Sequence, residues 1–133
     1  MGQAPGNHTG HARAALGALS EAAAAAHLAS HGYCVIDRNL RIGDDEADIV
    51  AQAPGGAVAV VEVKTRRGAW NPEDRVDHVK QGNLVRLAAT LAERPEFRER
   101  LFQFDVVAVS VDASGGTTVM HWPHAFDASG SPW

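Results

Sequence analysis

Glu62 and Lys64 stand two residues apart in the run Val-Val-Glu-Val-Lys-Thr-Arg-Arg at positions 60–67. Residues i and i+2 of a strand project from one face, so a carboxylate and an ammonium share one side of an otherwise apolar segment. Burying a charge is costly unless it is paired or bound to a metal, and the pair therefore needs a partner. The run Glu-Ala-Asp-Ile-Val-Ala-Gln at 46–52 offers one, since only Ala53 and the turn signal Pro54-Gly55-Gly56 separate it from the strand at 57–65 that carries Glu62. In a hairpin closed by that turn, Gln52 faces Val58, Val50 faces Val60 and Asp48 faces Glu62. Directly opposite residues project to the same side with Cβ atoms ~4.5–5.5 Å apart. Two carboxylates that close repel each other, and a divalent cation between them turns repulsion into binding. Hard cations such as Mg²⁺ take oxygen ligands and keep several waters, so one or two carboxylates suffice. Lys64, one pleat along, then lies near a metal-bound phosphate or water. An exposed sheet face carrying ordinary ion pairs among Asp48, Glu62 and Lys64 has the same spacing, and these residues alone leave both readings open.

The elements that must position this group follow from periodicity and punctuation. The alanine-dense run from Arg13 to Ala29 favours a helix, with Leu16, Leu19, Ala23, Ala26 and Leu28 as its buried stripe and Gly32 as its terminator. Strands are expected at 33–37, 46–52 and 57–65, the first three forming a meander. A long helix is expected at 72–93, capped by Asn71 with Pro72 in its first turn, carrying Val76, Val79, Leu84, Leu87 and Leu91 at helical spacing, and closed by Pro95. Strands at 102–111 and 117–122, joined by the turn Gly115-Gly116, complete an α/β arrangement with a mixed sheet. Residues 1–12 read as a flexible N-terminal tail, 13–126 as a single domain and 127–133 as a C-terminal tail.

Composition narrows the function classes. A chain of 133 residues with 45% hydrophobic content is long enough for one domain with a real core. A formal net charge of −4 argues against a basic nucleic-acid coat, yet leaves room for an enzyme that meets nucleic acid through a local basic rim and a cation. The one cysteine, Cys34, precludes an internal disulfide, agrees with a reducing cytoplasm, and reads as a small buried hydrophobe. No long apolar stretch is present, so the expectation is a soluble, unexported protein without membrane contact.

The words around the carboxylates are more specific than the carboxylates. Gly-Ala-Leu-Ser-Glu-Ala at 17–22, the Asp45–Gln52 run, the 60–67 run, Asp-Arg-Val-Asp-His-Val-Lys-Gln at 74–81 and Phe-Asp-Val-Val-Ala-Val at 104–109 occur in an order and with gaps that resemble the YraN family of restriction-endonuclease-like proteins. The likeness covers roughly residues 16–126. The Asp48 and Glu62-Val63-Lys64 pattern is similar to the PD-(D/E)xK nucleases, and the family is similar to archaeal-type Holliday-junction resolvases. The resemblance implies an α-β-β-β-α-β core with a mixed sheet flanked by helices. It also implies a Mg²⁺- or Mn²⁺-dependent endonuclease hydrolysing phosphodiester bonds in DNA, with branched or structured DNA favoured. Asp48, Glu62, Lys64 and, on the first helix, Glu21 would be catalytic, with Glu21, Asp48 and Glu62 as metal ligands. Two positions depart from the family pattern. Asp45-Glu46-Ala47-Asp48 stands where Gly-Glu-Ile-Asp is usual, and Gln103-Phe104 where an arginine often precedes the fourth strand's Phe-Asp.

Arg38, Arg41, Arg66 and Arg67 could ring such a site and hold phosphates, and Lys80, which matches a family lysine, could approach it. Solvated strand ends and an exposed helix lysine are the plain alternatives. Glu46 is expected as a solvated strand-end acid, and Asp105, in a strand that otherwise reads buried, as bonded to backbone or to a basic neighbour. His27 and His31 are four apart but lack a third ligand at natural spacing, so zinc is not expected. A non-cleaving nucleic-acid-binding or protein-interaction module on the same fold is the alternative function. It has no physical need for carboxylates facing a phosphate. The oligomeric state stays open, a homodimer included.

Overall fold

The structure, a computed structural model, describes residues 5–69 and 76–129, with side chains in the first helix described from Ala15 onward. The first helix, α1, spans Pro5–Ser30, so helix already covers residues 5–12, where a tail was expected. Proline suits a first helical position, and once a helix is nucleated each added residue costs little, so the polar start does not stop it. At the other end, Tyr33 N–H donates to Leu28 O (3.0 Å) and Gly32 N–H to Ala29 O (3.1 Å), with Gly32 at φ +86°. This doubly bonded stop is what the left-handed glycine makes possible.

Five strands follow: β1 (Cys34–Ile42), β2 (Asp45–Gln52), β3 (Val58–Arg67), β4 (Phe102–Val111) and β5 (Thr117–Phe126). The second helix, α2 (His78–Leu91), lies between β3 and β4. The sheet order is β1-β2-β3-β4-β5. The first three strands form the expected antiparallel meander, β3 and β4 are parallel across the α2 crossover, and β4–β5 is a hairpin. The core order is therefore α-β-β-β-α-β, a mixed sheet flanked by two helices.

Each helix covers one face. On the α2 side Val50, Val58, Val60, Leu84, Leu87, Leu91 and Phe104 close together, and on the α1 side Ala24, Leu28, Ile49, Ala59, Val61 and Val107 do so. Strand β3 thus alternates cleanly between the two cores, and each fully buried Val or Leu contributes ~1.5–3 kcal/mol. Among the described residues no helix is long and apolar enough to cross a membrane.

Several local expectations shift. α2 starts at His78 behind an Asp77 cap that accepts the Lys80 N–H at 2.8 Å; Asn71 and Pro72 lie outside the described residues. Val79 is 75% exposed, because the buried stripe runs through Gln81, Leu84, Leu87, Ala88 and Leu91. On α1 the buried positions are Ser20, Ala24 and Leu28 at four-residue spacing, while Leu19 and Ala26 are exposed. Cys34 is exposed as well, on an edge strand that the helices leave largely uncovered. β5 runs four residues past its expected end, through Pro123, with an irregular register opposite Phe104–Val106 and His124 at φ +52°. An edge strand can carry a proline because its outer N–H groups need no ladder partner.

Candidate functional site

The hairpin register is the one the turn dictates: Gln52 pairs with Val58 and Val50 with Val60. The β2–β3 ladder then stops at Ile49–Val61, one residue short of Asp48 and Glu62. β2 stays paired with β1 back to Asp45, and β3 stays paired with β4 out to Arg67. The sheet therefore forks at Asp48. Alternation breaks at the same place, since Ala47 and Val50, three apart, both pack on the α2 side while Ile49 packs on the other.

Into this fork the carboxylates project. Asp48 Oδ2 accepts the Val63 N–H at 2.8 Å, standing in for a ladder carbonyl. Glu62 is 6% exposed. Burial is the main cause that pushes its carboxyl up to about 8; the Asp48 charge and a hydrogen bond to Asp48 add to the rise, and Lys80 and Lys64 oppose it. Glu62 Oε1 is sealed from water and has no hydrogen-bond partner among the described residues. Lys64, half-buried, follows Glu62 by two residues on the same face of β3. Lys80 arrives from α2, with Nζ 3.2 Å from Glu46 O and 3.8 Å from Glu62 Oε1. Asp48, Glu62, Lys64 and Lys80 are thus brought together.

Glu21 is not gathered with them. Among the described residues no group of three or more His, Cys, Asp or Glu side chains is placed to hold a metal ion. Glu21 sits on α1, beyond the opposite face of the sheet, half-buried and with its own Oε1 sealed and unpartnered. The pair Asp48 and Glu62 still suits a hard divalent cation: two crowded carboxyls, one with an oxygen that neither water nor a donor satisfies. Glu46 is tied to Arg41 in an exposed ion pair at 2.8 Å, the strand-end role expected of it. Arg38 and Arg67 are exposed and Arg66 is half-buried.

One feature escaped the sequence reading. Asp45, at the position where a glycine was usual, is buried and accepts both Arg86 Nε (2.8 Å) and Arg86 Nη2 (2.9 Å), clamping α2 to β2 beside the site. The pair holds the Asp45 carboxyl below its ordinary range, with the Arg86 hydrogen bond as the main cause. On the α1 face, fully buried Asp105 accepts Tyr33 Oη (2.8 Å), Gln103 Nε2 (2.8 Å), His121 Nε2 (2.9 Å) and the His124 N–H (3.3 Å). Gln103, which replaces the frequent arginine, is thus a neutral donor to that carboxylate. The fold also brings His121 edge-on to His27 at 5.4 Å, while His27 and His31 stack at 4.1 Å.

Residues 20–109 match the uncharacterised protein family UPF0102. Among similar proteins, the UPF0102 protein of Anaeromyxobacter dehalogenans is 38% identical over 125 residues, covering 92% of each chain. That of Trichlorobacter lovleyi is 38% identical over 115 residues, covering 85% of this chain and 91% of its own. That of Moorella thermoacetica is 43% identical over 98 residues, covering 72% and 81%.

Proposed function

The chain belongs to the uncharacterised protein family UPF0102, the YraN family, and we propose that it is a divalent-metal-dependent nuclease hydrolysing phosphodiester bonds in DNA. One observation carries the reading: where β2 leaves β3, Asp48 crowds a buried Glu62 whose Oε1 has no hydrogen-bond partner among the described residues, with two lysines beside them. A structural role does not require such an arrangement, and a phosphate alone would be repelled by it. Asp48, fixed by the Val63 N–H, and Glu62 would hold Mg²⁺ or Mn²⁺. A cation there supplies acidification of a water and neutralisation of phosphate charge. The Lys64 ammonium stabilises charge that builds on the phosphate oxygens or orients the attacking water. Arg38 in the middle of β1, Arg41 near its end, and Arg66 and Arg67 at the end of β3 would supply charge-assisted contacts to a phosphate backbone. The resolvase likeness favours branched DNA as substrate, and the single cysteine agrees with a reducing cytoplasm as the place of work.

Incubation with branched and linear DNA in Mg²⁺ or Mn²⁺ tests this. Lys64→Ala should lower cleavage by ~10²–10³ while DNA affinity changes little, and Lys64→Arg should not restore the rate. Mg²⁺ should raise the thermal midpoint of the wild type and not that of Asp48→Asn. The separation of Glu21 from the other carboxylates favours a second reading, a DNA-binding module without cleavage. That reading takes over if the wild type cuts neither substrate while Lys64→Ala loses affinity that Lys64→Arg regains.

A further inference from the structure

The fork holds one ammonium more than the proposed chemistry uses. Lys80 lies in the first turn of α2, where the Asp77 carboxylate accepts its N–H (2.8 Å) and buried Gln81 donates Nε2 to Val76 O (3.0 Å). The Arg86–Asp45 clamp holds the next two turns against β2. The backbone of Lys80 is therefore fixed, and its four-carbon stem alone carries the charge into the fork. There Nζ donates to the neutral Glu46 carbonyl at 3.2 Å and stops 3.8 Å from Glu62 Oε1, beyond hydrogen-bond reach. The oxygen it nearly reaches is the buried one without a partner.

We propose that Lys80 is a displaceable counter-ion: its ammonium stands beside Glu62 in the cation-free protein and yields that place to a divalent cation, turning instead toward the DNA phosphate. This rests on the reading of Asp48 and Glu62 as the cation's ligands. With Asp48 and Glu62 both ionised, as ligands of a cation must be, their charges are balanced by Lys64 and Lys80. A divalent cation makes the fork doubly positive, and like charges then push on the ammonium that stands where the cation would bind. Lys80 can give way, because its contact with Glu62 is not a hydrogen bond and its hydrogen-bond partner is an uncharged carbonyl. A compact ammonium on a flexible stem can make the move, whereas a planar guanidinium locked in a fork–fork pair, such as Arg86, cannot. Cation and DNA should then help each other to bind, since the phosphate gives the displaced ammonium a new partner.

Calorimetric titration of the intact protein with Mn²⁺ alone tests the assignment. Lys80→Met, which keeps length and removes charge, should bind Mn²⁺ on the order of tenfold more tightly than the wild type, and Lys80→Arg should stay near the wild-type value. Lys80→Gln serves the same purpose should the methionine variant fail to fold. If the wild type binds Mn²⁺ and the neutral variants bind it equally or less well, Lys80 only pins α2 to Glu46 and the counter-ion role is lost, while the cation site stands. If neither wild type nor any Lys80 variant binds Mn²⁺, the cation site falls and this inference falls with it.

Discussion

Asp105 and Glu62 lie on neighbouring parallel strands, opposite Val61 and Val106 respectively, and they face opposite sides of the sheet. Both are buried, yet their surroundings differ in kind. Asp105 collects four donors, Tyr33, Gln103, His121 and the His124 backbone. Burial alone would raise its carboxyl, but the hydrogen bonds led by His121 outweigh it and hold the group below the ordinary carboxylate value. Glu62 meets a second carboxylate instead of a donor and is raised. One buried carboxyl is satisfied by donors from within the chain, and the other is not. Burial by itself therefore does not tell the two apart; the supply of donors does.

Removing the satisfied carboxylate should have the largest effect. Asp105→Ala leaves Tyr33, Gln103 and His121 facing an apolar gap, and a lost partner in a buried charged network costs ~3–5 kcal/mol, read as a drop in the chemical-denaturation midpoint. Removing the unsatisfied one should act the other way. Glu62→Gln should stabilise the metal-free fold by roughly 1–3 kcal/mol at pH 8. The sign follows from the raised carboxyl: the folded wild type holds a proton that the unfolded chain releases near 4.5, so its stability falls as pH rises from there to about 8. The glutamine variant should lack that slope. Asp105 works in the opposite direction, with its contribution present above the ordinary 3.8 and lost only as pH falls through its lower folded value. The smallest change is Gln103→Leu, which removes one donor of four and should cost about 1 kcal/mol. A loss as large as that of Asp105→Ala would mean that the four donors act as one unit.

Much of the site was legible because its residues are close in sequence. The Pro54-Gly55-Gly56 turn fixes the β2–β3 register, and alternation then puts Glu62 and Lys64 on one face. Lys80 was legible only through family resemblance, since nothing in the local pattern of α2 says which turn will overhang Glu62. The Asp45–Arg86 clamp, between residues 41 apart, has no local signature. The Asp105 partners were legible in kind, a basic side chain and backbone, but not by name. The α1 stripe was misread because a run of alanines offers no contrast between faces, so Ser20 was passed over for Leu19. Val79 failed for a different reason: it lies in the first turn of a helix that starts at His78, ahead of the stripe that packs on the sheet. Cys34 read as buried because β-propensity carries no information about which strand will be the edge.

Past Ile49–Val61 no backbone hydrogen bond joins β2 to β3 among the described residues. One side chain spans the gap, Asp48 onto the Val63 amide, while Lys80 onto the Glu46 carbonyl and Arg86 onto Asp45 tie α2 to β2 beside it, with Lys80 Nζ 3.8 Å from Glu62 on β3. Its width is thus an elastic property set by these tie-rods rather than by the ~4.8 Å spacing of a ladder. A single substitution in a tie-rod can open or narrow the gap while every strand keeps its register. Relatives can therefore retune what enters the fork by point changes, with no need to rebuild the sheet around it.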